Sequence, residues 1–177
     1  AFGARPLYEA DLLVRVKDAA INHARTPEEV LQHIDQVIPF IELPDLVVQA
    51  PPQRNGAGVG AINVGARLGI AGQPIAVPAT RGERYTLLDA LERMTVQLTD
   101  HSGALLASGK GSDILGHPLN AVVWLAQALQ QEEITLQPGA LVSLGTISPL
   151  LPPRAGRSVT ATYVGLPGAQ PVQVHFQ

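Results

Sequence analysis

Short runs of leucine and β-branched residues, separated by turn residues, recur along this chain and favour a fold built mainly from sheet. Glu9–Val16 has the composition of a largely buried strand. Pro39 lies within residues 37–43 and Pro44 follows them, which excludes a helix there and leaves an extended segment. Further strands are predicted at residues 46–48, 91–96, 104–107, 141–144, 158–164 and 171–176, and the second and third of these form a hairpin around residues 99–103.

Two segments carry clear helix signals. Thr26 is a typical N-cap, Pro27 suits the first helical position, and Val30, Leu31, Ile34 and Val37 form an apolar stripe. Residues 119–129 follow Pro118 and are apolar on nearly every face, which predicts burial in the core or at a subunit contact. We therefore expect an α+β fold, and a homo-oligomer, dimer or larger, that covers this helix and the sheet edges.

Composition excludes several classes of protein. The net charge is −3, from 12 Lys and Arg against 15 Asp and Glu, so a broad basic surface for nucleic acid or an anionic membrane is absent. The absence of Cys excludes disulfides, thiolate zinc sites, iron–sulfur clusters and thiol nucleophiles. No apolar run reaches the length of about 18 to 20 residues that a membrane span needs. A cytoplasmic location is expected, with the periplasm left open.

Three acidic residues are the strongest candidates for chemistry. Glu9 and Asp11 are two residues apart on a predicted strand, so both carboxylates project from one face. Glu42 lies in an apolar extended run, where an unpaired carboxylate is costly to bury. Oxygen ligands of this kind suit Mg²⁺ or Mn²⁺. The alternative is that the first two acids face solvent and Glu42 pairs with an arginine such as Arg67.

Other motifs are weaker. His117 precedes Pro118, so it is expected to cap or pack a helix start rather than act in catalysis. Lys110, between two glycines, is a candidate base, although a solvated loop lysine is the favoured interpretation. Residues 51–60 have the composition of a surface loop, and their glycines lack the flanking strand and helix of a dinucleotide site.

Five segments together resemble the 2-keto-4-pentenoate hydratase family of the fumarylacetoacetate hydrolase-like superfamily: YEADLLVRV, IPFIELPD, NVGARLGIAG, GKGSDILGHPLNAVVWLAQAL and LVSLGTISPLLPPRAGRSVTATYVGL. The resemblance implies the mixed β-sheet roll or sandwich of the fumarylacetoacetate hydrolase C-terminal type, with few helices. It also implies metal ligands at Glu9, Asp11 and Glu42. Residues 1–177 are then expected to form a single hydratase-like catalytic domain that follows the family's N-terminal segment, which carries a Gly-x-Lys motif.

The chain departs from the family pattern at two motifs. Ile62-Asn63-Val64-Gly65 stands where the family has Asp-Asn-x-Ser, so a polar substrate contact is lost. Leu144-Gly145-Thr146-Ile147-Ser148 stands where the family has Thr-Gly-x-x-Thr, which leaves Gly145, Thr146 and Ser148 as the expected contacts to a 2-keto acid carboxylate. The resemblance implies a metal-dependent hydratase acting on a substrate such as 2-hydroxypenta-2,4-dienoate. A decarboxylase, an acylpyruvate-type hydrolase and a non-catalytic binding relative remain alternatives.

Overall fold

The computed structural model describes residues 3–47 and 56–177, which form two antiparallel sheets with helices around them. The strands are β1 (Glu9–Val16), β2 (Ile34–Leu43), β3 (Leu68–Ala71), β4 (Ile75–Ala76), β5 (Thr95–Asp100), β6 (Leu105–Lys110), β7 (Leu141–Ser143), β8 (Arg157–Val164) and β9 (Val172–Phe176). The first sheet has the order β3-β2-β1-β7, with β4 paired to β2, and the second has the order β6-β5-β8-β9. The helices are α1 (Pro27–Gln32), α2 (Gly56–Ala61), α3 (Arg81–Arg93) and α4 (Asn120–Gln131). The expected α+β fold is confirmed.

The core lies between the two sheets, and strand β1 shows how the sequence directs this packing. Its residues Ala10, Leu12, Val14 and Val16 alternate along the strand and are at most 1% exposed. The Tyr8 ring continues this face and packs on Phe176 of β9, with ring centroids 5.3 Å apart. The odd-numbered side chains of β1 therefore project from the other face of the first sheet.

The helix predictions are confirmed in part and corrected in part. Thr26 caps α1 by accepting the N–H of Glu29, as expected, but the helix ends at Gln32. The apolar residues Ile34 and Val37, which the periodicity assigned to the helix, begin strand β2 instead. Their side chains are buried because strand β2 occupies the middle of the first sheet.

Helix α3 is not predicted from the sequence, and it takes the first half of a predicted strand. The run of residues 91–96 is helical up to Arg93, and only Thr95 onward is strand. Its start carries a recognisable signal, since the Thr80 hydroxyl accepts the N–H of Glu83. Leu87 and Leu91 bury one side of the helix, four residues apart. The hairpin of β5 and β6 itself is confirmed.

Two further segments differ from expectation. Leu46 and Val47 lie outside any strand, and residue 48 lies outside the described ranges. Residues 56–60 belong to helix α2 rather than to a loop, and residues 51–55 are not described. No helix in the described ranges has the length and apolar character needed to cross a membrane.

Helix α4 buries only one side within this chain. Val122 and Ala126 are buried, whereas the Trp124 side chain is 65% exposed. The chain therefore does not enclose this helix, and a subunit contact on its outer side stays a prediction.

Candidate metal and substrate site

The three candidate acids lie together on the outer face of the first sheet. Glu9 of β1 is directly opposite Glu42 of β2, and Asp11 follows two residues later on the same face as Glu9. Directly opposed residues of an antiparallel pair have Cβ atoms about 4.5–5.5 Å apart. Register and pleat thus bring together acids that are more than thirty residues apart in sequence.

Burial raises the pKa of each acid. The side chains of Glu9 and Asp11 are 5% and 0% exposed. Desolvation is the largest cause that raises the pKa of Glu9 to about 7, and the neighbouring Glu42 raises it further. Desolvation likewise raises the pKa of Asp11 to about 7, with smaller contributions from the other two acids. The pKa of Glu42 is also raised, again mainly by desolvation.

Hydrogen bonds orient two of the carboxylates and leave one oxygen unsatisfied. The N–H of Leu12 donates to Asp11 Oδ1 at 2.5 Å, and the Ser143 hydroxyl donates to Oδ2. Ser143 reaches Asp11 because it pairs with Leu13 on β1. Its side chain therefore lies on the acid face, the outer face of the first sheet that carries the three acids. The Thr146 hydroxyl bonds to Glu9, but Glu9 Oε2 is buried without a hydrogen-bond partner among the described residues. A buried, unsatisfied carboxylate oxygen is unusual and calls for a cation or donor.

The alternative pairing of Glu42 with Arg67 is wrong in this structure. Arg67 instead donates to Asp45 Oδ2 at 2.9 Å. Asp45 also accepts the N–H groups of Ala4 and Arg5, at 3.0 and 2.7 Å. These donors hold the pKa of Asp45 below its usual range, the N–H of Arg5 having the largest effect. Asp45 therefore has the ion pair with Arg67 that was the alternative expected for Glu42.

The donor set fits a hard divalent cation, although the acids are not pre-arranged around one position. Within the described ranges, no three His, Cys, Asp or Glu side chains are already placed to hold one metal ion. Binding by Glu9, Asp11 and Glu42 requires their carboxylates to turn toward a common point. The unpartnered Glu9 Oε2 and the oxygen-only chemistry of the three side chains both suit Mg²⁺ or Mn²⁺.

The loop after β7 covers one side of the acids. Gly145 has a φ of 100°, a conformation that favours glycine, and Thr146 is exposed next to Glu9. Ser148 is buried, and its hydroxyl accepts the N–H of Ala10 at 2.9 Å. We therefore revise the role expected for Ser148: its hydroxyl fastens the loop to β1, while Gly145 and Thr146 remain accessible.

The candidate base Lys110 lies on the second sheet, whereas the three acids lie on the first. Lys110 pairs with Thr95, one residue before the core residue Val96, so it projects from the outer face of the second sheet. Its side chain is exposed, as the favoured interpretation expected.

His117 has the capping and packing role that the sequence favoured. Its Nδ1 accepts the N–H of Leu119 at 3.1 Å, so Nε2 carries the proton that it donates to the carbonyl of Leu88, also at 3.1 Å. Burial lowers its pKa, which keeps the ring neutral.

Tyr163 and Phe40 lie beside Asp11, a position that the sequence does not predict. The Tyr163 hydroxyl reaches from β8 to the first sheet, where it accepts the N–H of Phe40 at 2.9 Å. It lies 2.7 Å from the carbonyl oxygens of both Asp11 and Phe40, to either of which it can donate. Since Asp11 and Phe40 are opposed residues, this hydroxyl is inserted between β1 and β2 at the acids. In sequence, Tyr163 has only the pattern of a core aromatic residue.

The chain is similar in sequence and in structure to known proteins, but it matches only part of the length of each. No family model matches the chain. A 2-keto-4-pentenoate hydratase from Paraburkholderia phymatum is 33% identical over 86 residues, which are 48% of this chain and 33% of that protein. The structure of 4-oxalocrotonate decarboxylase from Pseudomonas putida G7, complexed with magnesium and adipate, superposes with a TM-score of 0.79 and 25% identity.

That superposition covers 97% of this chain and 60% of the decarboxylase. A putative fumarylacetoacetate hydrolase family protein from Yersinia pestis CO92 shares the fold, with a TM-score of 0.64 and 15% identity over 99% of this chain and 74% of its own. The chain therefore spans between a third and three quarters of these proteins.

Proposed function

We propose that this chain is a divalent-metal-dependent lyase, because it is similar to a 2-keto-4-pentenoate hydratase and shares its fold with solved structures of the fumarylacetoacetate hydrolase family. The substrate would be a short 2-keto acid or its 2-hydroxydienoate form, such as 2-hydroxypenta-2,4-dienoate. Glu9, Asp11 and Glu42 would hold Mg²⁺ or Mn²⁺.

One observation carries the proposal: three acids share one face of a sheet, and Glu9 Oε2 is buried there without a partner. An uncompensated buried carboxylate opposes folding, and a second and third nearby add repulsion. Among the described residues, none of the ion pairs includes any of these acids. A divalent cation supplies the missing charge. The magnesium named in the decarboxylase structure supports this assignment.

The chain's own residues would hold and orient the substrate. When bound, the cation would act as a Lewis acid on the carboxylate and 2-oxo oxygens and on developing enolate charge. The N–H of Leu12 and the hydroxyl of Ser143 hold the Asp11 carboxylate on the same side as the other two acids, and it would turn from this orientation to meet the cation. The Thr146 hydroxyl, exposed beside Glu9, would donate to the substrate carboxylate once a cation replaces it as the partner of Glu9, and Gly145 leaves room for close approach. The proposal assigns no proton transfer to Lys110, because it projects from the outer face of the second sheet, or to His117, because both of its ring nitrogens have other partners.

A decarboxylase is the second candidate. The observation that favours it is the superposition on 4-oxalocrotonate decarboxylase, which extends over 97% of this chain. Both reactions pass through enolate character next to a 2-keto group, so the acid site alone suits either.

Turnover assays separate the candidates. The chain would be supplied with 2-hydroxypenta-2,4-dienoate, 4-oxalocrotonate and acetylpyruvate, each with Mg²⁺, with Mn²⁺ and with EDTA. Metal-dependent consumption of the dienoate supports the hydratase, release of CO₂ supports the decarboxylase, and cleavage of acetylpyruvate alone indicates a hydrolase. Metal-dependent binding of all three without turnover indicates a binding relative.

Two variants test whether the acids carry the activity. Glu42→Gln should remove metal binding and turnover together, whereas Glu132→Gln, an exposed acid just after α4, should leave both unchanged. Full metal binding by the Glu42 variant would contradict the site.

A further inference from the structure

The Phe40 ring occupies space beside the acids that only a glycine leaves open. Phe40 lies on β2 two residues before Glu42, so both side chains project from the acid face. Gly69 of β3 is directly opposite Glu42. A Cβ atom built on Gly69 would lie 1.9 Å from Phe40 Cζ and 2.2 Å from Cε2. The tip of the ring therefore lies over Gly69, next to Glu42.

This arrangement gives the acid cluster two different flanks. On the β7 side, the exposed Thr146 and the turn at Gly145 present polar groups. On the β3 side, the partly exposed Phe40 ring rises beside two small residues, Gly69 and Ala71, which share its face. A 2-keto acid has the same asymmetry, since its carboxylate and oxo group are polar and its remaining chain is hydrocarbon.

We propose that Phe40, placed over Gly69, is the apolar wall that receives the hydrocarbon end of the substrate. The carboxylate end then faces the loop of Gly145 and Thr146. The inference rests on the proposed function and deepens it, because it names the residue that would discriminate between 2-keto acids by their far end. A second carboxylate at the far end of the chain would have to be desolvated against an aromatic ring, which is unfavourable. The site selects 2-keto acids with an apolar tail over dicarboxylates of the same length.

The surrounding residues hold the ring in this position. The backbone N–H of Phe40 donates to the Tyr163 hydroxyl, which also lies next to the Asp11 carbonyl. The wall and Asp11 are therefore positioned by one group from the other sheet. Any side chain at Gly69 must displace the ring, because a Cβ there overlaps it.

Binding of unreactive analogues to the Mn²⁺-loaded chain tests the proposal. Titration calorimetry would compare pyruvate, which has no tail, with 2-oxohexanoate and 2-oxoadipate, which have six carbons and differ in the far carboxylate. The unmodified chain should prefer 2-oxohexanoate to 2-oxoadipate. Phe40→Ala should reduce that preference by about fourfold to fifteenfold, the value of one or two buried methylene groups. Affinity for Mn²⁺ and for pyruvate should stay unchanged.

Further variants separate a substrate contact from a structural role. Gly69→Ala should reduce the preference as well, by displacing the ring. Phe40→Ala combined with Gly69→Phe should restore it, because the ring then rises from the opposed position beside Glu42. Tyr85→Ala, which removes an exposed ring on α3, is the control and should change nothing. If Phe40→Ala does not fold, Phe40→Leu with its smaller apolar side chain gives the same comparison.

The outcomes distinguish failure of the proposed metal-dependent function from failure of the role proposed for Phe40. If pyruvate shows no Mn²⁺-dependent binding to the unmodified chain, the proposed function fails. If pyruvate binds but the ratio between the two longer acids does not change in the folded Phe40 variant, the inference about Phe40 is overturned and the metal site stands.

Discussion

At the scale of single residues, Asp45 and Glu42 show how one chemical group takes opposite roles. The Asp45 carboxylate accepts two backbone N–H groups and a guanidinium N–H, and these donors lower its pKa. Glu42 lies opposite another acid, and its pKa is raised. The first group stabilises the fold when it is ionised, whereas the second is stabilised by a proton or a cation.

The substitution Glu42→Gln should therefore leave the metal-free protein as stable as before or more stable, because it removes a repelling charge. It should also abolish stabilisation by Mg²⁺, which is about 2.7 kcal/mol at a metal concentration about 100 times Kd. Thermal melts in EDTA and in Mg²⁺ measure both quantities. Asp45→Asn is the matched comparison, and it should lower stability with and without metal. A large loss of stability for Glu42→Gln in EDTA would contradict the metal assignment.

The pH dependence of the metal-free protein should report the same acids. The pKa values of Glu9 and Asp11 are about 7 in the fold, against 4.5 and 3.8 for the free groups. In that window the folded state binds more protons than the unfolded state, so stability falls as pH rises from about 4 to about 7.

Denaturant unfolding in EDTA between about pH 5 and about pH 8 measures this slope. Glu9→Gln should flatten it, and stabilisation by Mg²⁺ should increase with pH, because the cation competes with protons. A slope that is identical in the unmodified chain and in the Glu9 variant would show that Glu9 does not titrate in this range.

At the scale of secondary structure, Tyr163 joins the two sheets at the site. Tyr163→Phe removes the hydroxyl between β1 and β2 and leaves the buried N–H of Phe40 without its acceptor. We expect a loss of about 1–3 kcal/mol in the free energy of unfolding and weaker Mn²⁺ binding, since the backbone of Asp11 is no longer held. Denaturant unfolding and metal titration measure these effects. Tyr85→Phe on α3 is the control, and equal losses in both variants would contradict a specific role for Tyr163.

Sequence patterns predicted those elements whose signals are local. Strand β1 is found at its predicted bounds, because Leu and Val predominate in its second half and no Gly or Pro breaks it. The cap at Thr26 also appears as expected. Helix α3 is hard to recognise in the sequence, because the apolar residues of its last turn, near Leu91, continue without a break into those of β5. Its clearest local signal is the N-cap residue Thr80.

The site was predictable only in part. The spacing of Glu9 and Asp11 gave a shared face, but the opposition of Glu42 depends on a register set by the whole connection between β1 and β2. The close approach of Phe40 to Gly69 and the insertion of Tyr163 are contacts between distant strands, which no local pattern encodes.

At the scale of the whole molecule, we propose that a second copy of the chain covers the exposed side of α4. The helix is apolar on nearly every face, yet Trp124 is 65% exposed. Light scattering at micromolar concentration should then give a mass above 18.6 kDa. Because Trp124 is the only tryptophan, its fluorescence should shift to shorter wavelength on association, and Trp124→Glu should produce a monomer. A stable monomer of the unmodified chain would contradict this contact.

Core residues and acidic residues alternate along β1, so selection for stability and selection for chemistry act on different positions of one strand. Ala10, Leu12 and Val14 pack in the core and stabilise the fold. Glu9 and Asp11 alternate with them and project from the other face of the sheet, so they do not contribute to core packing. Mutations at Glu9 and Asp11 alter the chemistry of the site without removing side chains from the core. A lineage built on this strand can exchange one reaction for another while its architecture persists, so descendants with the same scaffold and different activities are the expected evolutionary outcome.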